Sequence, residues 1–138
     1  TSARCATAHY LSPMITAHIS GEEVGKLFSR TESHFLDFKG VSISPAKITR
    51  SISAFANADG GELFVGIDEP VSGGPRSWNG FSEPEAANGL IQAIESVLPL
   101  GMGCTMTFLQ STACSGLVLL VEVHKSRDII WATNGEAY

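Results

Sequence analysis

Ile52-Ser53-Ala54-Phe55-Ala56-Asn57-Ala58-Asp59-Gly60-Gly61-Glu62-Leu63-Phe64-Val65-Gly66-Ile67-Asp68-Glu69 changes its hydrophobic period part-way along. Up to Gly60, Ile48, Ile52 and Phe55 recur at the spacing of one helix face. From Glu62 to Asp68 the chain is apolar and of strand length. The Gly60-Gly61 pair between them ends the helix and turns the chain. That helix starts at Ser44-Pro45, with Ser as N-cap and Pro at the first helical position, where a missing N–H costs nothing. A strand precedes it, His34 to Lys39, with Leu36 and Phe38 on one face and Phe35, Asp37 and Lys39 on the other. Strand, helix and strand in this order predict two neighbouring strands of one sheet joined by a crossover helix.

On the N-terminal side, Ser20-Gly21-Glu22-Glu23 has the spacing of a capping box and predicts a short helix from about Glu22 to Ser29, with Val24, Leu27 and Phe28 inward. Residues 1–19 read as an irregular lead-in and residues 20–138 as one domain. On the C-terminal side, Glu69 to Phe81 is a Pro/Gly-rich loop. Ser82-Glu83-Pro84-Glu85 is a second capping box, opening a helix to about Val97 with Leu90, Ile91 and Ile94 on its apolar face, broken by Pro99 and Gly101. Cys104 to Gln110 and Leu117 to His124 pair as a hairpin around Ser115-Gly116, and Asn134-Gly135 marks another, so the chain is expected to continue past Tyr138. The fold class is α/β (α+β): a single mixed sheet with helices packed against it.

A length of 138 residues, 43% apolar and 17% charged, suits one globular core. The greasiest stretch, Gly116 to Val123, has the length of a buried strand and falls short of the roughly 18 apolar residues of a membrane span. The first residues have one Arg and no apolar core, unlike a secretory signal. Cys5, Cys104 and Cys114 are widely spaced with no CxxC pair, which excludes a disulfide framework or zinc site and fits a reducing, cytoplasmic setting. A net charge of −5 argues against nucleic-acid affinity driven by bulk charge. It leaves room for a local basic patch, or for an acidic site that takes a metal and then a nucleic acid.

Acidic side chains gather at strand positions: Glu32 before the first strand, Asp37 within it, and Asp68-Glu69 at the end of the next. Carboxylates at neighbouring strand ends suit Mg²⁺ or Mn²⁺, which prefer hard oxygen ligands. Lys39 lies on the same strand face as Asp37, placed to stabilise a phosphate. Asp37-Phe38-Lys39 resembles half of the PD-(D/E)xK nuclease signature, with the partner carboxylate downstream instead of upstream; taken alone it reads as a solvated strand face. Lys47 and Arg50 on the helix and Arg76 in the loop are candidates for phosphate contacts, and Trp78 either stacks on a base or anchors the loop. Gly60-Gly61 belongs to neither GxxxxGK[ST] nor GxGxxG. Ser53 lacks an adjacent His or Asp and reads as helix surface, His124 as a strand-end surface residue, His34 as packed or at an edge, and Cys104 as a small buried apolar residue.

Residues Thr31 to Lys39 resemble the opening motif of the Schlafen AlbA_2 family: an acidic residue, a short apolar strand, then Glu-Phe-Lys, with Asp37 standing where Glu is usual. Residues Ile52 to Glu69 resemble the family's central motif, Val121 to Ser126 its late strand and turn, and Thr133 to Tyr138 its final hairpin, which normally continues with an apolar residue and an Arg. The resemblance spans roughly Gly21 to Tyr138. It implies an endoribonuclease core that cleaves structured RNA such as tRNA, with Mg²⁺ or Mn²⁺ on Glu32, Asp37 and either Asp68 or Glu69, and with Lys39 as the family lysine. Other members are described as DNA-binding or ATP-binding domains. The alternative it implies is therefore an inactive module that meets DNA or RNA through Lys47, Arg50, Arg76 and Trp78; a third reading is an oligomerisation or regulatory domain. Schlafen cores join two related lobes into a horseshoe and this chain holds one, so a homodimer is expected, with Ile129-Ile130-Trp131 as an apolar run at its interface.

Overall fold

The computed structural model of the chain describes residues 15–33, 35–70, 73–98 and 103–125. Among them the elements run β1 (Ile15–His18), α1 (Gly21–Phe28), β2 (Leu36–Lys39), α2 (Pro45–Asn57), β3 (Gly61–Val65), β4 (Ile67–Asp68), β5 (Ser77–Trp78), α3 (Asn88–Val97), β6 (Cys104–Gln110) and β7 (Val118–Val123). Five strands form a mixed sheet in the order β1-β6-β7-β3-β2. β2 and β3 are parallel neighbours joined by α2, as the strand-helix-strand reading requires. β3 with β7 and β6 with β7 are antiparallel, and β1 lies parallel to β6. The short strands β4 and β5 make a separate two-stranded ladder. No helix among the described residues is long and apolar enough to cross a membrane.

Local chemistry sets the helix ends. Glu23 N donates to Ser20 Oγ at 3.1 Å and Ser20 N donates to Glu23 Oε1 at 2.9 Å, closing the first capping box. Ser20→Ala is expected to cost about 1 kcal/mol of stability and to lower the thermal midpoint by a few degrees in a circular dichroism melt. Lys47 N donates to Ser44 Oγ at 3.2 Å, with Pro45 opening α2. At the far end, Gly60 N donates to Phe55 O at 2.8 Å. Gly60 has φ +87°, and a Cβ there would stand 2.5 Å from Val123 O; a Cβ on Gly61 would stand 2.5 Å from the Phe55 ring. Only a glycine pair lets the chain leave the helix and enter the sheet so closely.

Period-two alternation along β3 sends Leu63 and Val65 to one side of the sheet and Phe64 to the other, so the strand is buried on both faces. On the first side they pack with Ile48 and Ile52 of α2, Ile91 and Ile94 of α3, and Val121. On the second, Phe64 joins Val24 and Leu27 of α1, with Leu36, Phe38 and Val118. Each such apolar side chain contributes about 1.5–3 kcal/mol when fully buried. The register Asp37↔Leu63 and Lys39↔Val65 puts the two polar side chains of β2 on the α2 side, at the edge of the sheet.

The structure departs from the sequence expectations in four places. The run 62–68 is broken at Gly66, whose φ of +120° turns Ile67–Asp68 away to pair with Ser77–Trp78. The second capping box does not form. Pro84 forces its predecessor into extended backbone, so Glu83 (φ −156°) becomes the N-cap of a 3-10 turn, Pro84–Ala87, with no side-chain cap, and α3 starts only at Asn88. Residues Ile15–His18 of the lead-in are a sheet strand. Ser53 is fully buried and accepts from Asn57 Nδ2 at 3.3 Å. His34, the Asn134-Gly135 turn and the Ile129-Ile130-Trp131 run lie outside the described residues.

Candidate active site at the β2 edge

Among the described residues β2 is the last strand of the sheet, so an outward backbone N–H needs another partner. Phe38 N finds two: it donates to Glu32 Oε2 at 3.1 Å and to Asp37 Oδ1 at 2.9 Å. This draws Glu32 and Asp37 together. The Glu32 carboxyl is raised above the usual carboxylate range, first because its protonated form donates to Asp37, then by partial burial, with the Asp37 charge adding to the effect. The Phe38 N–H and an interaction with Glu69 pull in the opposite sense. Glu32 thus interacts with both Asp37 and Glu69. Asp68 is held elsewhere: Asn79 Nδ2 donates to its Oδ2 at 2.7 Å, and a Cβ at Gly40 would lie 2.6 Å from its Oδ1. Of the Asp68-Glu69 pair, it is Glu69 that reaches Glu32.

Cations border the carboxylates. Lys39 Nζ stands 3.3 Å from Asp37 Oδ2, and Arg76 Nε donates to Glu69 Oε2 at 2.8 Å. Lys39 also faces a cleft of about 510 Å³ between β2 and α2, lined by Lys47, Arg50, Ser42, Ser44 and Ser51. The expected site residues therefore fall into an acidic cluster and a cationic cleft that share Lys39. Among the described residues no three Asp, Glu, His or Cys side chains stand as a ready metal-ligand set. The donors of the acidic cluster are nevertheless all hard oxygens, the kind that Mg²⁺ and Mn²⁺ prefer.

The family model described as Schlafen, AlbA_2 matches residues 32–138, from Glu32 of the acidic cluster to the last residue. The chain belongs to the Schlafen AlbA_2 family. Among solved structures, the chain is similar to the N-terminal domain of a Nitrosomonas europaea protein described as related to the ATP-dependent DNA helicase RecG, with a TM-score of 0.62 and 22% identity over 81% of this chain and 78% of that one. It is also similar to the DIP2311 protein of Corynebacterium diphtheriae, with a TM-score of 0.56 and 17% identity over 84% of this chain and 27% of that one. The chain thus spans about a quarter of DIP2311, and at these identities both likenesses concern the fold. No curated protein matches the chain.

Within this Schlafen AlbA_2 domain, two expected nucleic-acid contacts are corrected. Arg76 is only 13% exposed: it donates to Glu69, to Phe28 O at 2.7 Å and to Arg30 O, and its guanidinium lies 4.1 Å from the centre of the Phe38 ring. It ties the β4–β5 ladder to the C-terminal end of α1 and is not offered to a phosphate. Trp78 is buried, with Nε1 donating to Gly116 O at 3.0 Å, so it anchors the loop and has no face open to a base. Both departures share a cause: a loop that looks solvated in sequence is packed under the sheet. Sequence reasoning missed Asn79, which holds Asp68, and the serines of the cleft; Ser42-Ile43-Ser44, just ahead of Lys47, was the available signal for the latter. Burial pushes the Cys104 thiol up to about 11, with the Glu95 charge adding to it, so it is a thiol at neutral pH and no nucleophile.

The raised Glu32 carboxyl has a consequence for stability. A folded-state value above the unfolded one means that the native chain binds more protons between the two, so stability falls as pH rises through that window. Glu32→Gln removes the repulsion while its amide oxygen can still accept the Phe38 N–H. The variant is expected to melt above wild type at pH 7, with the gap closing as the pH falls until Glu32 is protonated in both the folded and the unfolded chain. Thermal melts across that range check it; a variant that melts lower at pH 7 would show that the repulsion is not felt.

Proposed function

We propose that this domain is a divalent-metal-dependent endonuclease that cleaves structured RNA of the tRNA kind. The observation that supports the reading is the Glu32–Asp37 carboxyl pair at the β2 edge, with Lys39 Nζ 3.3 Å from Asp37 Oδ2 and Glu69 interacting with Glu32. The membership in the Schlafen AlbA_2 family and the RecG-related description of a structural neighbour both accord with work on nucleic acid. Glu32 and Asp37, with Glu69, would hold Mg²⁺ or Mn²⁺. Bound there, the cation supplies Lewis-acid stabilisation of charge on a phosphoryl group. Lys39 places its ammonium where the phosphodiester gains negative charge as water adds to phosphorus and the bond to the leaving sugar oxygen breaks. The proton that the water loses goes to bulk solvent, and the leaving sugar oxygen takes one up from it. Arg76 orients Glu69 through its Nε and does not touch substrate.

A second reading is a nucleic-acid-binding module without catalysis. It is favoured by the ion pairs themselves: Lys39 and Arg76 already neutralise Asp37 and Glu69, and a metal must compete with them. One pair of measurements separates the two. On the first reading, Mn²⁺ supports cleavage of a folded RNA, EDTA stops it, and Mn²⁺ raises the melting temperature of wild type but not of Glu32→Gln. RNA binding with neither cleavage nor a metal-dependent melt selects the second.

A further inference from the structure

We propose that the cleft between β2 and α2 is a phosphoryl-binding site, which takes one phosphate group of a nucleic-acid strand or free nucleotide without a metal. The source of the phosphate rests on the nucleic-acid reading above; the chemistry of the cleft does not. The chain has nine Lys and Arg against fourteen Asp and Glu, yet three of the nine, Lys39, Lys47 and Arg50, line this one cleft, and among the described residues that line it none is a carboxylate. Lys47, Arg50 and Ser51 are spaced so as to share one face of α2. Lys39 arrives from the end of β2, on the sheet face that carries Val65. An anion in the cleft is attracted by all three cations at once.

The hydroxyls suit the same ligand. Ser44 Oγ accepts from Lys47 N, which leaves its O–H to donate, and Ser42 and Ser51 stand on the same wall. Several donors around a compact oxyanion make short charge-assisted hydrogen bonds, about twice as strong as neutral ones. The cleft volume of about 510 Å³ falls within the roughly 300–1,000 Å³ of small-molecule sites, room for a phosphate with its sugar attached. Lys39 is shared with Asp37 at 3.3 Å, so an occupied cleft would draw the ammonium toward phosphate and release the Asp37 carboxylate.

The test uses the whole chain in EDTA, titrated with inorganic phosphate, adenosine 5′-monophosphate, adenosine and a dinucleoside monophosphate by calorimetry or NMR shifts. Adenosine 5′-monophosphate is expected to bind and adenosine not to. Lys47→Glu, at an exposed position, is expected to weaken the nucleotide by about tenfold or more with the melting temperature kept. Binding of the dinucleoside monophosphate as well identifies a backbone phosphodiester as the ligand; binding of the monophosphate and inorganic phosphate alone identifies a terminal phosphate or free nucleotide. Adenosine binding as tightly as its monophosphate, or a Lys47→Glu affinity equal to wild type, overturns the proposal. Phosphate binding that is indifferent to Lys47→Glu, in a chain whose RNA cleavage is lost in Asp37→Asn, removes the cleft and keeps the nuclease. Phosphate binding that is sensitive to Lys47→Glu in a chain that cleaves no RNA does the reverse.

Discussion

Asp37→Asn is expected to lower metal-dependent RNA cleavage by about a hundredfold or more, since even residues one shell removed from a metal cost about 10–100-fold when lost. The substitution is close to isosteric, and the amide oxygen can still accept the Phe38 N–H that Asp37 Oδ1 takes at 2.9 Å. The lost partner is Lys39, 41% exposed, so the ion pair itself is worth no more than about 1 kcal/mol and the fold survives. Activity should fall far more than stability, which separates a chemical role from a packing one. Asp37→Glu restores the longer carboxylate that the family motif carries and is expected to keep the activity. Single-turnover cleavage of a folded RNA, beside a thermal melt of each variant, measures both quantities. An Asp37→Asn chain that cleaves at the wild-type rate would remove Asp37 from the site.

Arg76→Ala is expected to destabilise the domain by about 2–3 kcal/mol, a drop in melting temperature of about 6–15 °C. The guanidinium is 13% exposed and serves Glu69 and the carbonyls of Phe28 and Arg30 at once. Its loss leaves polar groups without a donor, and uncovers the Phe38 ring. The figure is held below that of a fully buried pair because the Glu69 side chain is 35% exposed. Arg76→Lys should recover less than half of the loss, because an ammonium cannot form the planar fork that reaches all three acceptors. A chemical denaturation series decides the matter: unchanged stability with weakened RNA binding would return Arg76 to the surface role suggested by the sequence.

Much of the frame was legible because local chemistry specifies it. Ser44-Pro45 and Gly60-Gly61 mark the ends of α2 by hydrogen-bonding and backbone needs that depend on a few neighbouring residues. The alternation of Leu36, Asp37, Phe38 and Lys39 assigns the apolar pair to the α1 side and the polar pair to the α2 side. Ser20 caps as its motif says, whereas Ser82 does not, because Pro84 moves the cap one residue along; that rule too was available in the chain. The family membership was likewise readable from the residues alone.

Tertiary structure decided what depends on residues far apart in sequence. The pairing of Ile15 with Thr107 in parallel strands has no local signal. Asp68 and Glu69 are adjacent carboxylates of equal chemistry, and the turn at Gly66 with the β4–β5 ladder determines which one meets Glu32. Arg76 and Trp78 have the composition of an exposed loop, and only packing against Phe38, α1 and Gly116 takes them out of water. The cleft gathers Lys39 from a strand and Lys47 and Arg50 from a helix, because the crossover returns α2 over the β2 edge. A sequence specifies backbone preferences over a few residues; which side chains then share a site is settled by the packing of distant segments.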